Sequence, residues 1–149
     1  MSCDYIALAT PGVQQLTPYV PGKPVEELGR ELGGRDIVKL ASNENPMGPG
    51  ARVLAALDAV KPELSRYPDG NGFMLKQALA AKLNVQESGL TLGNGSNDVL
   101  ELIARAYLQP GTEAVFSQYA FAVYPIVTQA VGATAIVTPA KNWGHDLEA

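Results

Sequence analysis

The spacing of apolar positions changes along the chain, and the elements it predicts change with it. From Gly50 to Val60 the apolar residues Val53, Leu54, Leu57 and Val60 share one helical face, and Lys61-Pro62 ends the run. A second helix fits Phe73 to Leu83, with Leu75, Leu79 and Leu83 in register after Asn71-Gly72. Beyond it the rhythm alternates: an apolar run Leu90-Thr91-Leu92, a helix from about Val99 to Leu108, a strand Ala114-Val115-Phe116, a helix from Phe121 to Val131 and a strand from Thr134 to Val137. That alternation predicts a parallel α/β sheet. Gln109-Pro110-Gly111 and Val131-Gly132 mark the helix ends.

The N-terminal third follows another pattern. Residues 1 to 24 hold four of the eleven prolines and predict an extended arm, one that lies across a partner subunit. Val25 to Leu32 is a short helical run stopped by Gly33-Gly34, and Ile37 to Leu40 is strand-like. At the other end, His145-Asp146-Leu147-Glu148-Ala149 reads as a helix start with Asp146 as N-cap. The chain is therefore expected to be part of a longer protein, because a parallel sheet needs cover on both faces and partners for its strands.

Composition narrows the function classes. With 149 residues, 46% hydrophobic and 17% charged, the chain is long enough for one ordinary globular core. A net charge of -4 argues against nucleic acid or an anionic membrane as partner. No apolar run approaches a membrane span, and no basic segment leads into an apolar stretch at the start, so a cytoplasmic protein is expected. Cys3 is the sole cysteine, which rules out an intrachain disulfide or a cysteine metal cluster and leaves an incidental thiol. The lone His145 has no metal-ligand spacing around it and reads as a surface residue.

The chemistry concentrates in Gly93-Asn94-Gly95-Ser96-Asn97-Asp98, between an apolar run and a helix. Two glycines let the backbone approach a ligand, while Ser96, Asn97 and the first helical N–H groups aim donors and the positive dipole end at one spot. A phosphate is the expected guest. The turn matches neither the dinucleotide fingerprint nor a Walker loop, so a plain capped turn is the competing reading. Asp98, three residues before Glu101, fits a capping role equally well.

Further motifs accompany that turn: Pro18-Tyr19-Val20-Pro21-Gly22-Lys23-Pro24, Lys39-Leu40-Ala41-Ser42-Asn43-Glu44-Asn45-Pro46-Met47-Gly48-Pro49, and Arg66-Tyr67-Pro68-Asp69-Gly70. In this order the series resembles the N-terminal part of the histidinol-phosphate aminotransferase family, fold type I enzymes that use pyridoxal 5'-phosphate (PLP), from about Val13 to Ala149. The resemblance implies an α/β fold, with an N-terminal arm and short helix over residues 1–35 and the first part of a large PLP-binding domain with a mostly parallel sheet over residues 36–149. It also implies a homodimer with shared active sites. The implied reaction transfers an amino group between L-histidinol phosphate and 2-oxoglutarate in histidine biosynthesis.

Residue by residue, the resemblance assigns Ser96 and Asn97 to the cofactor phosphate and Phe121, with Tyr124 nearby, to the face of the PLP ring. It carries Tyr67 across a dimer interface to the neighbouring cofactor phosphate. Tyr19 is placed near the substrate phosphate, and Asn43 and Asn45 at the substrate entrance. Many relatives carry Ser-Asp-Glu or Ala-Asp-Glu where this chain has Ser96-Asn97-Asp98. PLP enzymes hold their cofactor through a lysine, yet Lys23, Lys39, Lys61, Lys76, Lys82 and Lys141 all lie outside the family's lysine context. In these enzymes that segment, the pyridine-facing aspartate and the substrate-binding arginines fall beyond Ala149. An aromatic aminotransferase, a threonine-phosphate decarboxylase or a non-catalytic truncated chain remain alternatives, with a doubly wound nucleotide binder third.

Overall fold

The structure, a computed structural model, describes residues 4–149; Cys3 lies outside them. The chain forms two compact units, one made of residues up to Tyr19 together with Lys76–Ala149, the other of Val20–Leu75.

The first unit opens with two single-turn helices, α1 (Tyr5–Leu8) and α2 (Pro11–Gln14). An extended arm was expected here. Instead Asp4 caps α1 by accepting the N–H groups of Ile6 and Ala7, Pro11 takes the first helical position of α2, where a missing N–H costs nothing, and the Gln14 side chain donates back to the Ala9 carbonyl at 2.9 Å. Gly12 at Gln129 and Tyr19 at Phe121 lie against this same chain.

The α/β part follows as α6 (Ser96–Tyr107), β1 (Glu113–Ser117), α7 (Val123–Ala130) and β2 (Thr134–Thr138). The strands pair in parallel, from Glu113 opposite Thr134 to Ser117 opposite Thr138. Two turns set this register. Gln109-Pro110-Gly111-Thr112 closes with the Thr112 N–H on the Gln109 carbonyl at 3.0 Å, with Gly111 at φ +92° as such a turn requires. After α7, Gly132 at φ +76° donates to Gln129 and Ala133 donates to Thr128, a Schellman closure. A Cβ on Gly132 would stand 3.1 Å from the Pro110 ring, so the two turns pack on each other. The buried centre is small: Ala104 of α6 is 3% exposed and Thr128 of α7 2%, its hydroxyl donating to the Tyr124 carbonyl.

The second unit contains α3 (Val25–Glu31), α4 (Ala51–Val60) and the opening of α5 (Phe73–Leu83), which runs on into the first unit. Gly33 and Gly34, both at positive φ, end α3, with the Gly34 N–H on the Gly29 carbonyl. Asp69 caps α5 by accepting the Phe73 N–H at 2.7 Å. The apolar stripe of α4 is half exposed in this unit.

Three expected elements are absent. Ile37 to Leu40 is extended without being a strand, since Val38 and Leu40 are 80% and 92% exposed and no ladder partner lies beside them among the described residues. Leu90 to Leu92 is likewise extended but unpaired. Asp146 accepts the Glu148 N–H at 3.1 Å in a turn, and no helix follows. Helix α7 begins two residues later than expected, leaving Phe121 ahead of it.

Candidate functional site

The first turn of α6 presents uncapped donors. Its N-cap is Gly95, at φ +94° and ψ 173°, which brings no side chain to the helix end. The four leading N–H groups of a helix have no intrahelical partner, so here they face outward at the positive end of the dipole. Ser96 and Asn97 head this turn, both exposed. Asp98 does not compete for these donors: its Oδ2 turns back to accept the Asn94 N–H at 3.0 Å and so fixes the loop. This closure gives Gly93 a packing reason beside the close ligand approach expected of it. A Cβ there would lie 2.8 Å from Asp98 Oδ2 and 2.9 Å from Val99 Cγ2.

An aromatic wall stands across from the turn. Tyr19 meets Phe121 edge to face, with ring centroids 5.6 Å apart and planes at 62°. Tyr19, Asn97 and Phe121 together line a cavity of about 390 Å³, along with Asp98, Glu101 and Val127. Ser96 heads the same helical turn without lining this cavity. Glu101, whose role the sequence did not reveal, adds a carboxylate to the wall, and Arg105 pairs with it at 2.7 Å. Arg105 thus offsets the charge of Glu101, while Asp98 keeps its own at the edge of the cavity.

Tyr124 pairs with Phe116 of β1 at 6.0 Å and, with Phe121, lines a second cavity. This larger cavity, of about 620 Å³, opens at the C-terminal ends of β1 and β2, between Ser117, Tyr119, Thr138 and His145.

Three predicted site residues belong to the second unit, and one of them, Asn43, sits in its loop at φ +46°. Asn45 spends both ends of its amide on its own loop, Oδ1 accepting the Met47 N–H at 3.0 Å and Nδ2 donating to the Gly48 carbonyl at 3.1 Å. Tyr67 is 101% exposed, untouched by its surroundings. Among the described residues no group of His, Cys, Asp or Glu gathers as a metal site, and no helix is long and apolar enough to cross a membrane.

The arrangement can hold a phosphate monoester that carries a flat ring, the anion on α6 and the ring against Phe121. Residues 35–149 match the family described as aminotransferase class I and II. The chain is 68% identical to histidinol-phosphate aminotransferase 2 of Pseudomonas fluorescens, over all of this chain and 41% of that protein. It is 64% identical to histidinol-phosphate aminotransferase 2 of Pseudomonas aeruginosa, over 98% of this chain and 40% of that protein. Among solved structures, histidinol-phosphate aminotransferase from Sinorhizobium meliloti in complex with pyridoxal-5'-phosphate shares the fold at a TM-score of 0.80 and 28% identity, over 93% of this chain and 37% of that one. The chain thus spans about two-fifths of the length of the curated relatives it matches.

Proposed function

The chain belongs to the aminotransferase class I and II family, and from that premise we propose that the intact protein transfers an amino group between L-histidinol phosphate and 2-oxoglutarate, with PLP as cofactor. High identity along the whole chain to enzymes named for this substrate is the observation that carries the reading. The α6 turn supports the cofactor: an uncapped helix start with Gly95 as N-cap suits a phosphate, and an exposed phenylalanine ring across the cavity suits a pyridine face.

In this reading the backbone N–H groups of Ser96 and Asn97, with the Ser96 hydroxyl and the Asn97 side-chain amide, hold the cofactor phosphate. Phe121 orients the ring and keeps water from its face. Bound PLP supplies an electron sink for chemistry at the carbon bearing the amino group. Tyr19 offers its hydroxyl to the substrate phosphate at the cavity rim, and Asn45 shapes the substrate entrance through its loop. Tyr67 reaches the cofactor phosphate of a second subunit in a homodimer. Residues 36–149 are then the first part of the PLP-binding large domain, residues 1–35 an arm and short helix, and the enzyme works in the cytoplasm.

The test has two parts. The intact protein should aminate 2-oxoglutarate from L-histidinol phosphate far faster than from phenylalanine or tyrosine; equal rates would point to a general aromatic aminotransferase. Replacing Ser96 or Asn97 with leucine should weaken PLP affinity by roughly 1.5–3 kcal/mol, the scale of a charge-assisted hydrogen bond. Unchanged affinity in both variants would reduce the turn to a structural one.

A further inference from the structure

We propose that Gly12 is a positioning residue: by seating α2 on the C-terminal end of α7 it holds Tyr19 against Phe121. The proposal rests on the reading of Tyr19 and Phe121 as parts of the PLP and substrate site.

Helix α2 is four residues long and its N-cap Thr10 makes no side-chain cap. A helix of one turn does not persist alone, because its nucleation cost is not repaid. What holds it is α7. Gly12 lies so close to that helix that a Cβ would be 2.1 Å from the Gln129 carbonyl oxygen and 3.1 Å from that of Ala130. Both neighbours are backbone and cannot swing aside. The Gln129 side chain returns the contact, donating from Nε2 to the Gly12 carbonyl at 3.4 Å. Val13 and Thr10 face Ile126, Val127 and Ala130 beside it.

From this anchor the arm turns back toward the start of α7. The span from Val123 to Gln129 measures about 9 Å at helical rise, with Phe121 two residues ahead of it, whereas the seven residues from Gly12 to Tyr19 could extend to roughly 24 Å. Such a tether reaches easily and specifies little unless its far end is fixed. With Gly12 seated, bringing Tyr19 to Phe121 closes a loop on the order of fifteen residues; without it, the loop through the chain is about a hundred. The three-halves power law for loop closure makes that a difference of about seventeenfold, an order of magnitude, in how often the rings meet. Alanine is also the better helix former, so a loss in Gly12→Ala would come from the clash and not from helix propensity.

The experiment uses the intact protein labelled with fluorotyrosine, the Tyr19 resonance being assigned by its disappearance in Tyr19→Phe. In Gly12→Ala the resonance should move to the position it takes in Phe121→Leu, where the neighbouring ring current is gone. Gln129→Ala, which removes the donor and adds no bulk, should move it the same way by less. A resonance unmoved in both variants overturns the proposal. If it moves, the KM for L-histidinol phosphate should rise roughly tenfold with kcat and PLP affinity within twofold, and Gly12→Ala should add nothing in a Tyr19→Ala background. Full additivity of the two substitutions would overturn the positioning role. A moved resonance with an unchanged KM in both Gly12→Ala and Tyr19→Ala would sustain the docking of the arm and instead overturn the placing of Tyr19 at the substrate.

Discussion

Gly93 and Asp98 act as one device at the start of α6. The carboxylate of Asp98 holds the Asn94 N–H, and only a residue without a side chain fits under it at position 93. Gly93→Ala must displace both Asp98 and Val99, an overpacking cost of about 1–3 kcal/mol. We expect that loss in chemical denaturation, together with weaker PLP binding, because the loop that aims the α6 donors shifts. Gly89→Ala provides the comparison: nothing lies within 4 Å of its would-be Cβ, and it should stay within about 0.5 kcal/mol of the parent. Equal stability of the two variants would remove the strain argument from Gly93.

Helix α3 shows how an element draws on charges beyond its own ends. Lys23 precedes it and would face the positive end of its dipole, an unfavourable place for a cation. Its ammonium instead reaches Glu31 at 2.5 Å and Glu27 at 3.8 Å. The hydrogen bond to Glu31 is the main cause that raises the Lys23 pKa above its ordinary 10.5, with the charges of Glu31 and Glu27 adding to it. A raised lysine pKa stabilises the fold fully below the unfolded value of 10.5 and loses that contribution as pH climbs through the folded value. Lys23→Met should therefore lower the thermal midpoint by a constant amount at pH 7 to 9, and the gap to the parent should narrow above about pH 10.5. A gap that persists unchanged at pH 11.5 would show that packing of the lysine stem, and not its charge, is what the helix uses.

The whole molecule turns on Tyr67. No residue of its unit covers it, and the proposed dimer gives it a destination at the partner's cofactor phosphate. Tyr67→Phe removes one hydrogen bond to a charged group and should weaken PLP binding by roughly 1.5–3 kcal/mol. Complementation is the sharper measurement. A Tyr67 variant and a variant without the intact protein's cofactor-binding lysine are each impaired, but a mixed dimer contains one site with both wild-type residues. Activity should return on mixing. If heterodimers form and activity does not return, Tyr67 serves its own subunit or none.

The α6 turn was legible in the sequence because its parts are neighbours: glycines, a serine and an amide ahead of a periodic helix define a local shape. The same holds for the stops at Gly33-Gly34, Gln109-Pro110-Gly111 and Val131-Gly132, where a backbone at positive φ needs glycine whatever surrounds it. Strands are not local in this sense. Ala114 to Phe116 and Thr134 to Val137 are realised because they pair with each other, while Ile37 to Leu40 and Leu90 to Leu92, equally apolar, find no ladder partner among the described residues and remain extended chain. Nor could spacing place Gly12 over the carbonyls of α7, or bring Tyr19 to Phe121 across about a hundred residues of chain. Local backbone chemistry wrote the helix ends and the glycine turn before α6 into the sequence, whereas strand pairing and the docking of the arm depend on surfaces that exist only once the chain has folded.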